Sequence, residues 1–202
     1  RIPKSWEVGK VDDITTKVVD GPHSTPKYLS SGIPFVTVRN ITSGEIEFTN
    51  LKYISEADYE EFMRRGEPDL GDILYSKDGS IGYTAIVKTE NRFAYFVSVA
   101  LIKIKHELVL SNFLNNALQS EYVWTQTELM MEGSGLKHMV LRSIKALKIA
   151  LPSMPEQQKI SQVIHSMDEL IGRHTAKLSQ TQSLKKSLMQ DLLTGKVRVT
   201  VN

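Results

Sequence analysis

Leu151-Pro152-Ser153-Met154-Pro155-Glu156-Gln157-Gln158-Lys159-Ile160 is where the character of the sequence changes. Before it lie five of the seven prolines and ten of the twelve glycines, scattered among short apolar runs. After Pro155 there is no further proline, and apolar residues recur at alternating steps of four and three. Such spacing keeps a stripe on one face of an α-helix. The seam runs through Ile160, Ile164, Met167, Ile171, His174, Leu178, Thr181, Lys185, Leu188 and Leu192, with Val163, Leu170 and Leu184 widening it. Pro155 suits the first helical position, where its missing N–H forfeits no bond, and Glu156 suits the positive end of the helix dipole. Gly195 is placed as the residue just past the helix end, with Lys196 and Arg198 beyond it. One helix of about forty residues is expected, a rod of roughly 60 Å at ~1.5 Å per residue. A rod that long cannot bury its stripe against a domain of this size, so it requires a partner helix.

Seven of the ten seam positions are apolar. For the other three, His174, Thr181 and Lys185, two readings stand: they lie where the seam opens to water, or they set register and orientation at a cost in stability. Neither makes His174 a catalytic residue.

Working back from this boundary, residues 1–151 read as a mixed α+β domain and residues 152–202 as the helical appendage. The expected strands are Phe35-Val36-Thr37-Val38, Ile73-Leu74-Tyr75, Tyr83 to Val87 and Tyr95 to Lys105, all β-branched or aromatic-rich. Ser55 with Asp58 three residues on forms a capping arrangement that opens a helix ending near Gly66. A second helix is expected after Ser111, with Phe113, Leu114, Ala117, Leu118 and Tyr122 on one face.

Composition sets the outer limits. With 202 residues and 41% hydrophobic residues, the chain can build a core, and wholesale disorder is excluded. Zero cysteine excludes a disulfide scaffold, a thiolate nucleophile and any Cys-ligated zinc site. The longest nearly apolar run, Tyr95 to Ile102, is far too short to span a bilayer, and no basic-then-apolar leader opens the sequence. A soluble, cytoplasmic protein with no membrane partner is the expectation. Net charge is +2, but it is unevenly held: seven basic and four acidic residues follow Pro155, against 18 and 19 before it. A nucleic-acid binder with that near-neutral domain has to gather its positive charge on one face.

Catalytic signatures are missing. There is no phosphate-binding G-x-x-x-x-G-K-[ST], no G-x-S-x-G and no H-E-x-x-H. Gly133-Ser134-Gly135-Leu136-Lys137-His138 begins like a dinucleotide loop but carries His where the last glycine belongs. No acid is followed two residues later by Lys, and no Asn/Asp-Pro-Pro-aromatic run of an amino-methyltransferase occurs. The five histidines are scattered without metal-ligand spacing, so no metal site is expected. Asp12-Asp13 and Glu60-Glu61 are read as solvated faces. This chain is therefore expected not to be an enzyme by itself.

Several segments, in order, resemble the specificity (S) subunit of type I restriction–modification systems. Asp20-Gly21-Pro22-His23-Ser24-Thr25-Pro26-Lys27-Tyr28 and Gly32-Ile33-Pro34-Phe35-Val36-Thr37-Val38-Arg39-Asn40-Ile41 are similar to the start of a target-recognition domain. Gly71-Asp72-Ile73-Leu74-Tyr75-Ser76-Lys77-Asp78-Gly79-Ser80-Ile81-Gly82 resembles that domain's central loop. Leu151 to Ile160 looks like the opening of the family's spacer helix, and Leu192-Leu193-Thr194-Gly195-Lys196-Val197 like its end. Whole S subunits carry two recognition domains and two such helices, whereas one of each is present here. The chain is expected to be either the second half of a longer protein or a naturally half-sized subunit.

The resemblance implies a target-recognition domain that reads one half of a bipartite site in double-stranded DNA. The helix pairs antiparallel with a second one, in a homodimer or with another recognition half, and so fixes the spacing of half-sites. Methylation belongs to methyltransferase (M) subunits using S-adenosylmethionine, and ATP- and Mg-dependent translocation and cleavage to restriction (R) subunits, with no cofactor on this chain. Helix-pairing residues are then Ile160, Ile164, Met167, Ile171, His174, Leu178, Thr181, Leu188 and Leu192.

Two loops lead the candidates for DNA contact. Lys77, Gly79 and Ser80 lie in a turn that is either a plain hairpin or one that brings Lys77 and Ser80 to a phosphate or base edge. Ser134, Lys137, His138 and Arg142, with Lys145 and Lys148 following, form either a connector with a solvated face or a basic loop that follows a groove. Ser24, Thr25, Tyr28, Arg39 and Asn40 complete the set. Arg39 and Asn40 suit guanine and adenine respectively, though Arg-Asn after a strand is also ordinary turn chemistry. Trp6 and Trp124 are expected in the core, not as base-stacking platforms. A rival from another class is a coiled-coil adaptor whose globular domain binds protein, and a third is a small nuclease with an unrecognised site.

Overall fold

A computed structural model describes residues 2–200. The chain divides into two compact units, residues 1–158 and 159–202, with the division inside the long helix. Along the first unit run β1 (Glu7–Lys10), β2 (Thr15–Asp20), β3 (Ile33–Val36), β4 (Lys52–Ile54), α1 (Glu56–Phe62), β5 (Ile73–Ser76), β6 (Thr84–Ile86), β7 (Ala94–Tyr95) and β8 (Val99–Ile104). They are followed by α2 (Ser111–Leu118), α3 (Glu121–Met130), α4 (Leu141–Ala146), β9 (Lys148–Leu151) and α5 (Met154–Leu193).

Among the described residues these strands form three sheets. The four-stranded one is antiparallel in the order β2-β8-β5-β6, the three-stranded one has the order β4-β3-β7, and β1 pairs with β9. The expected α+β class is what is found. Ile73, Leu74 and Tyr75 are fully buried in β5, which lies between β8 and β6 in its sheet. The expected strand from Tyr95 to Lys105 is interrupted at Phe96–Ser98, because there the chain crosses from one sheet to another: Phe96 N–H donates to Val36 O, and Ser98 O accepts from Lys77 N–H. A core of Phe35, Val36, Ile54, Tyr59, Phe93 and Tyr95 fills the space beside the three-stranded sheet.

Capping signals were reliable. Ser55 Oγ accepts from Asp58 N–H at 3.1 Å and opens α1, and a 3₁₀ turn over Met63–Arg65 ends at Gly66. The single helix expected after Ser111 is instead two. Ser120 Oγ accepts from Val123 N–H at 3.4 Å and starts α3 afresh, so Tyr122 leaves the buried face of α2 and is exposed. Thr37 and Val38 do not extend β3, because Asn40 Oδ1 accepts from both Thr37 N–H and Thr37 Oγ1–H at 3.0 Å and curls the chain into a 3₁₀ turn.

The first unit closes on itself before the rod begins. Glu7 to Lys10 pair with Leu151 to Lys148, and Trp6 Nε1–H donates to Glu156 Oε1 at 3.2 Å. Gln157 holds the same junction, accepting from Leu110 N–H at 2.9 Å and donating to Leu108 O and Pro152 O at 3.1 Å. Helix α5 is 40 residues long, and Gly195 beyond it takes φ +73°, the left-handed conformation expected of a helix-terminating glycine. No helix among the described residues is long and apolar enough to cross a membrane.

Candidate nucleic-acid interface

The chain leaves β5 at Ser76 and returns in β6 at Thr84 through a closed hairpin loop. Ser76 Oγ accepts from Tyr83 N–H at 2.8 Å, and Gly82 N–H donates to Ser76 O at 3.0 Å. Gly82 takes φ +87°, and a Cβ there would sit 2.8 Å from Trp124 Cζ3. Only glycine meets both conditions without strain.

A second loop is bonded onto this one. Glu132 and His138 exchange both backbone hydrogen bonds at 3.0 Å, which pinches residues 133–137 into a tip. Met139, fully buried, donates its N–H to Lys77 O at 2.7 Å, and Gly79 N–H donates to Lys137 O at 3.2 Å. His138 thus has Glu132 on one side and Asp78 on the other. Residues about sixty positions apart in sequence form one ridge, and its outer face carries Gly79, Ser80, Ser134 and Lys137, all exposed.

Below the ridge sits a charge cluster. Lys77 Nζ lies 3.1 Å from Asp78 Oδ2 and 3.7 Å from Asp20 Oδ2, with the side chains of Lys77 and Asp20 only 9% and 8% exposed. Arg65 donates to Asp20 Oδ1 at 2.8 Å, and His23 Nε2 stands 3.8 Å from Asp20 Oδ2. Lys77 is therefore spent in fixing the loop to the end of β2; Ser24 and Thr25 follow that strand on the exposed surface. Tyr75, the last large side chain before the loop, shares a hydrogen bond with Thr127 Oγ1 at 3.3 Å, and burial pushes its phenol pKa up. That bond ties α3 to β5 under the loop.

The remaining candidates fall elsewhere. Tyr28 packs edge-on against Phe35 at 6.0 Å, with Lys52 Nζ 4.0 Å above its ring, and so belongs to the three-stranded sheet. Asn40 uses its amide inside its own turn, where Nδ2–H also donates to Glu47 O at 3.4 Å, while Arg39 is exposed. The positive patch around α4 is thinner than its sequence suggests: Arg142 reaches Glu132 at 3.2 Å and Lys145 reaches Asp12 at 3.2 Å. His138 lies 4.0 Å from the same Glu132. Lys137 has no ion-pair partner among the described residues.

Trp124 corrects the sequence reading. It is 40% exposed and lines two adjacent grooves, one shared with Tyr83, Gln119 and the turn Thr42-Ser43-Gly44, the other with Gly79, Leu136 and Lys137. Trp6 is half-buried at the β1–β9 junction, not in the core. The available signal for Trp124 was Ser120-Glu121, a helix-start pair that resets the phase of everything after it.

In the second unit, Met167, Ile171, Leu178, Leu188 and Leu192 are exposed along α5, as are His174, Thr181 and Lys185, while Ile160 and Ile164 are half-buried. Thr181 Oγ1–H donates to Lys177 O at 2.8 Å, so its hydroxyl is satisfied within the helix.

Comparison with known proteins matches residues 3–181 to the family described as the type I restriction modification DNA specificity domain. The type I restriction enzyme MjaVIII specificity subunit of Methanocaldococcus jannaschii is 24% identical over 203 residues, covering 98% of this chain and 48% of the relative. The MjaIX specificity subunit of the same organism is 28% identical over 197 residues, covering 94% and 43%. In fold, the crystal structure of the HsdS subunit from Thermoanaerobacter tengcongensis superposes with a TM-score of 0.70 at 18% identity, over 94% of this chain and 49% of that one. The chain spans about half the length of the relatives it matches. With a family match running through nearly all of the first unit and into the long helix, the chain belongs to the type I restriction modification DNA specificity domain family.

Proposed function

We propose that this chain is one target-recognition half of a type I specificity subunit, reading one half-site of a bipartite duplex target through the ridge built from residues 77–82 and 132–139. The observation that carries this reading is the hydrogen bonding of the two loops to each other, through Met139 N–H to Lys77 O and Gly79 N–H to Lys137 O. Two loops so joined present a fixed row of hydroxyl, amide and ammonium groups, the donor types that meet phosphates and base edges. Ser80, Ser134 and Lys137 are the contacting side chains; Lys77 and Asp20 hold the ridge in place.

In this reading the chain does no chemistry itself. Helix α5 pairs with a second spacer helix, from another copy or another half, and sets the gap between half-sites. Methyltransferase subunits carrying S-adenosylmethionine and restriction subunits using ATP and Mg are addressed to the target by this scaffold.

The test is duplex affinity as a function of salt, measured for the chain reconstituted with its methyltransferase subunits. Phosphate contacts give a linear fall of log K with log salt, about 0.9 per contact. Lys137→Ala should reduce that slope by about one contact and weaken all sequences alike, or cost ~1–3 kcal/mol at one base pair if Lys137 reads a base. A slope and affinity unchanged by this substitution would remove the loop from the contact surface, and no duplex binding at all would favour an adaptor that docks protein.

A further inference from the structure

Leu136 stands at the tip of the pinched loop with 75% of its surface exposed. An exposed leucine alone is ordinary; its setting is not. Glu132 and His138 clamp the base of the loop with two hydrogen bonds, and buried Met139 anchors it, so the tip is held out on a fixed stem. The leucine leans over the neighbouring loop, its Cδ1 3.9 Å from where a Cβ on Gly79 would be. On one side of it is Lys137, whose ammonium has no ion-pair partner among the described residues; close by is the exposed hydroxyl of Ser134. Gly135 has nothing within 4 Å of its Cβ position, leaving open space beside the tip. The groove alongside is lined by Ile81, Trp124 and Met131, and by one carboxylate, Glu128, which suits a base amino group and not a phosphate.

We propose that Leu136 is a wedge that enters the stack of the bound duplex at one base step. This rests on the DNA-reading role of the ridge and adds a mode of contact to it. Apolar side chains inserted between base pairs unstack them and kink the duplex, and the sequence then matters through how readily that step opens. Lys137 holds the adjacent phosphate while the leucine takes the step, so part of the half-site is read as deformability without hydrogen bonds to its bases.

The experiment uses duplexes selected from a random pool by the reconstituted protein, with 2-aminopurine placed in turn at each position of the half-site. Its emission rises where stacking is lost. Methyltransferases turn their target base out of the stack and brighten that position whatever stands at residue 136; the wild type should brighten one further step. Leu136→Ser, folded by circular dichroism, should abolish that signal and weaken binding about ten- to hundredfold, the loss expected from one buried leucine. Leu136→Met, which keeps an apolar wedge, should retain both. Salt-dependent binding with no such further step, or a further step that stays bright in Leu136→Ser, overturns the wedge and leaves the ridge intact. No duplex binding at all overturns the ridge itself.

Discussion

Asp20 shows how a single buried carboxylate organises a surface it does not join. It gathers Arg65, Lys77 and His23 at 2.8, 3.7 and 3.8 Å, and Lys77 in turn carries the backbone carbonyl that receives Met139. Removing one partner of a buried pair leaves a charge without compensation. Asp20→Ala should therefore destabilise the first unit by roughly 2–3 kcal/mol, toward the low end because Asp78 still faces Lys77. Thermal unfolding should show a Tm lower by about 4–10 °C. A Tm within about 2 °C of wild type would mean that Arg65 and Lys77 are satisfied by water and that the cluster does not secure the ridge.

At the scale of elements, α5 presents an apolar stripe to solvent: Ile171 is 63% exposed and Leu178 58%. Paired with another helix, these positions go into the seam; unpaired, they are a liability. Pairing of α5 with a second copy, as proposed, should appear as a dimer in light scattering that Ile171→Asp combined with Leu178→Asp converts to a monomer. An unchanged mass would remove the stripe as the association surface. This helix was legible in the sequence because its period, its proline boundary and its terminal glycine all agree. So were β5, an unbroken apolar run that ends up buried, and α1, announced by Ser55. Strands β1 and β9 were not, since Glu7-Val8-Gly9-Lys10 has little apolar content and becomes a strand only through a partner more than 130 residues away. For the same reason the ridge was half visible. Each loop stood out by its glycines and lysines, but the hydrogen bonds joining them are long-range, and the burial of Lys77 beside Asp20 has no local signature.

At the scale of the whole molecule, a unit closed by the β1–β9 pair and a helix of 40 residues make up a chain that spans about half the length of its relatives. In the function proposed, loops held by sheets read the target and the helix sets the spacing between half-sites. The function proposed requires residues 77–82 and 132–139 to meet DNA as one surface. Amide hydrogen exchange, with and without a selected duplex, tests this most directly. Protection should rise together over 77–83 and 132–139, with α5 beyond residue 159 unchanged. Protection confined to α5, or to one loop while the other exchanges as before, would mean that the two loops do not form one DNA-contacting surface.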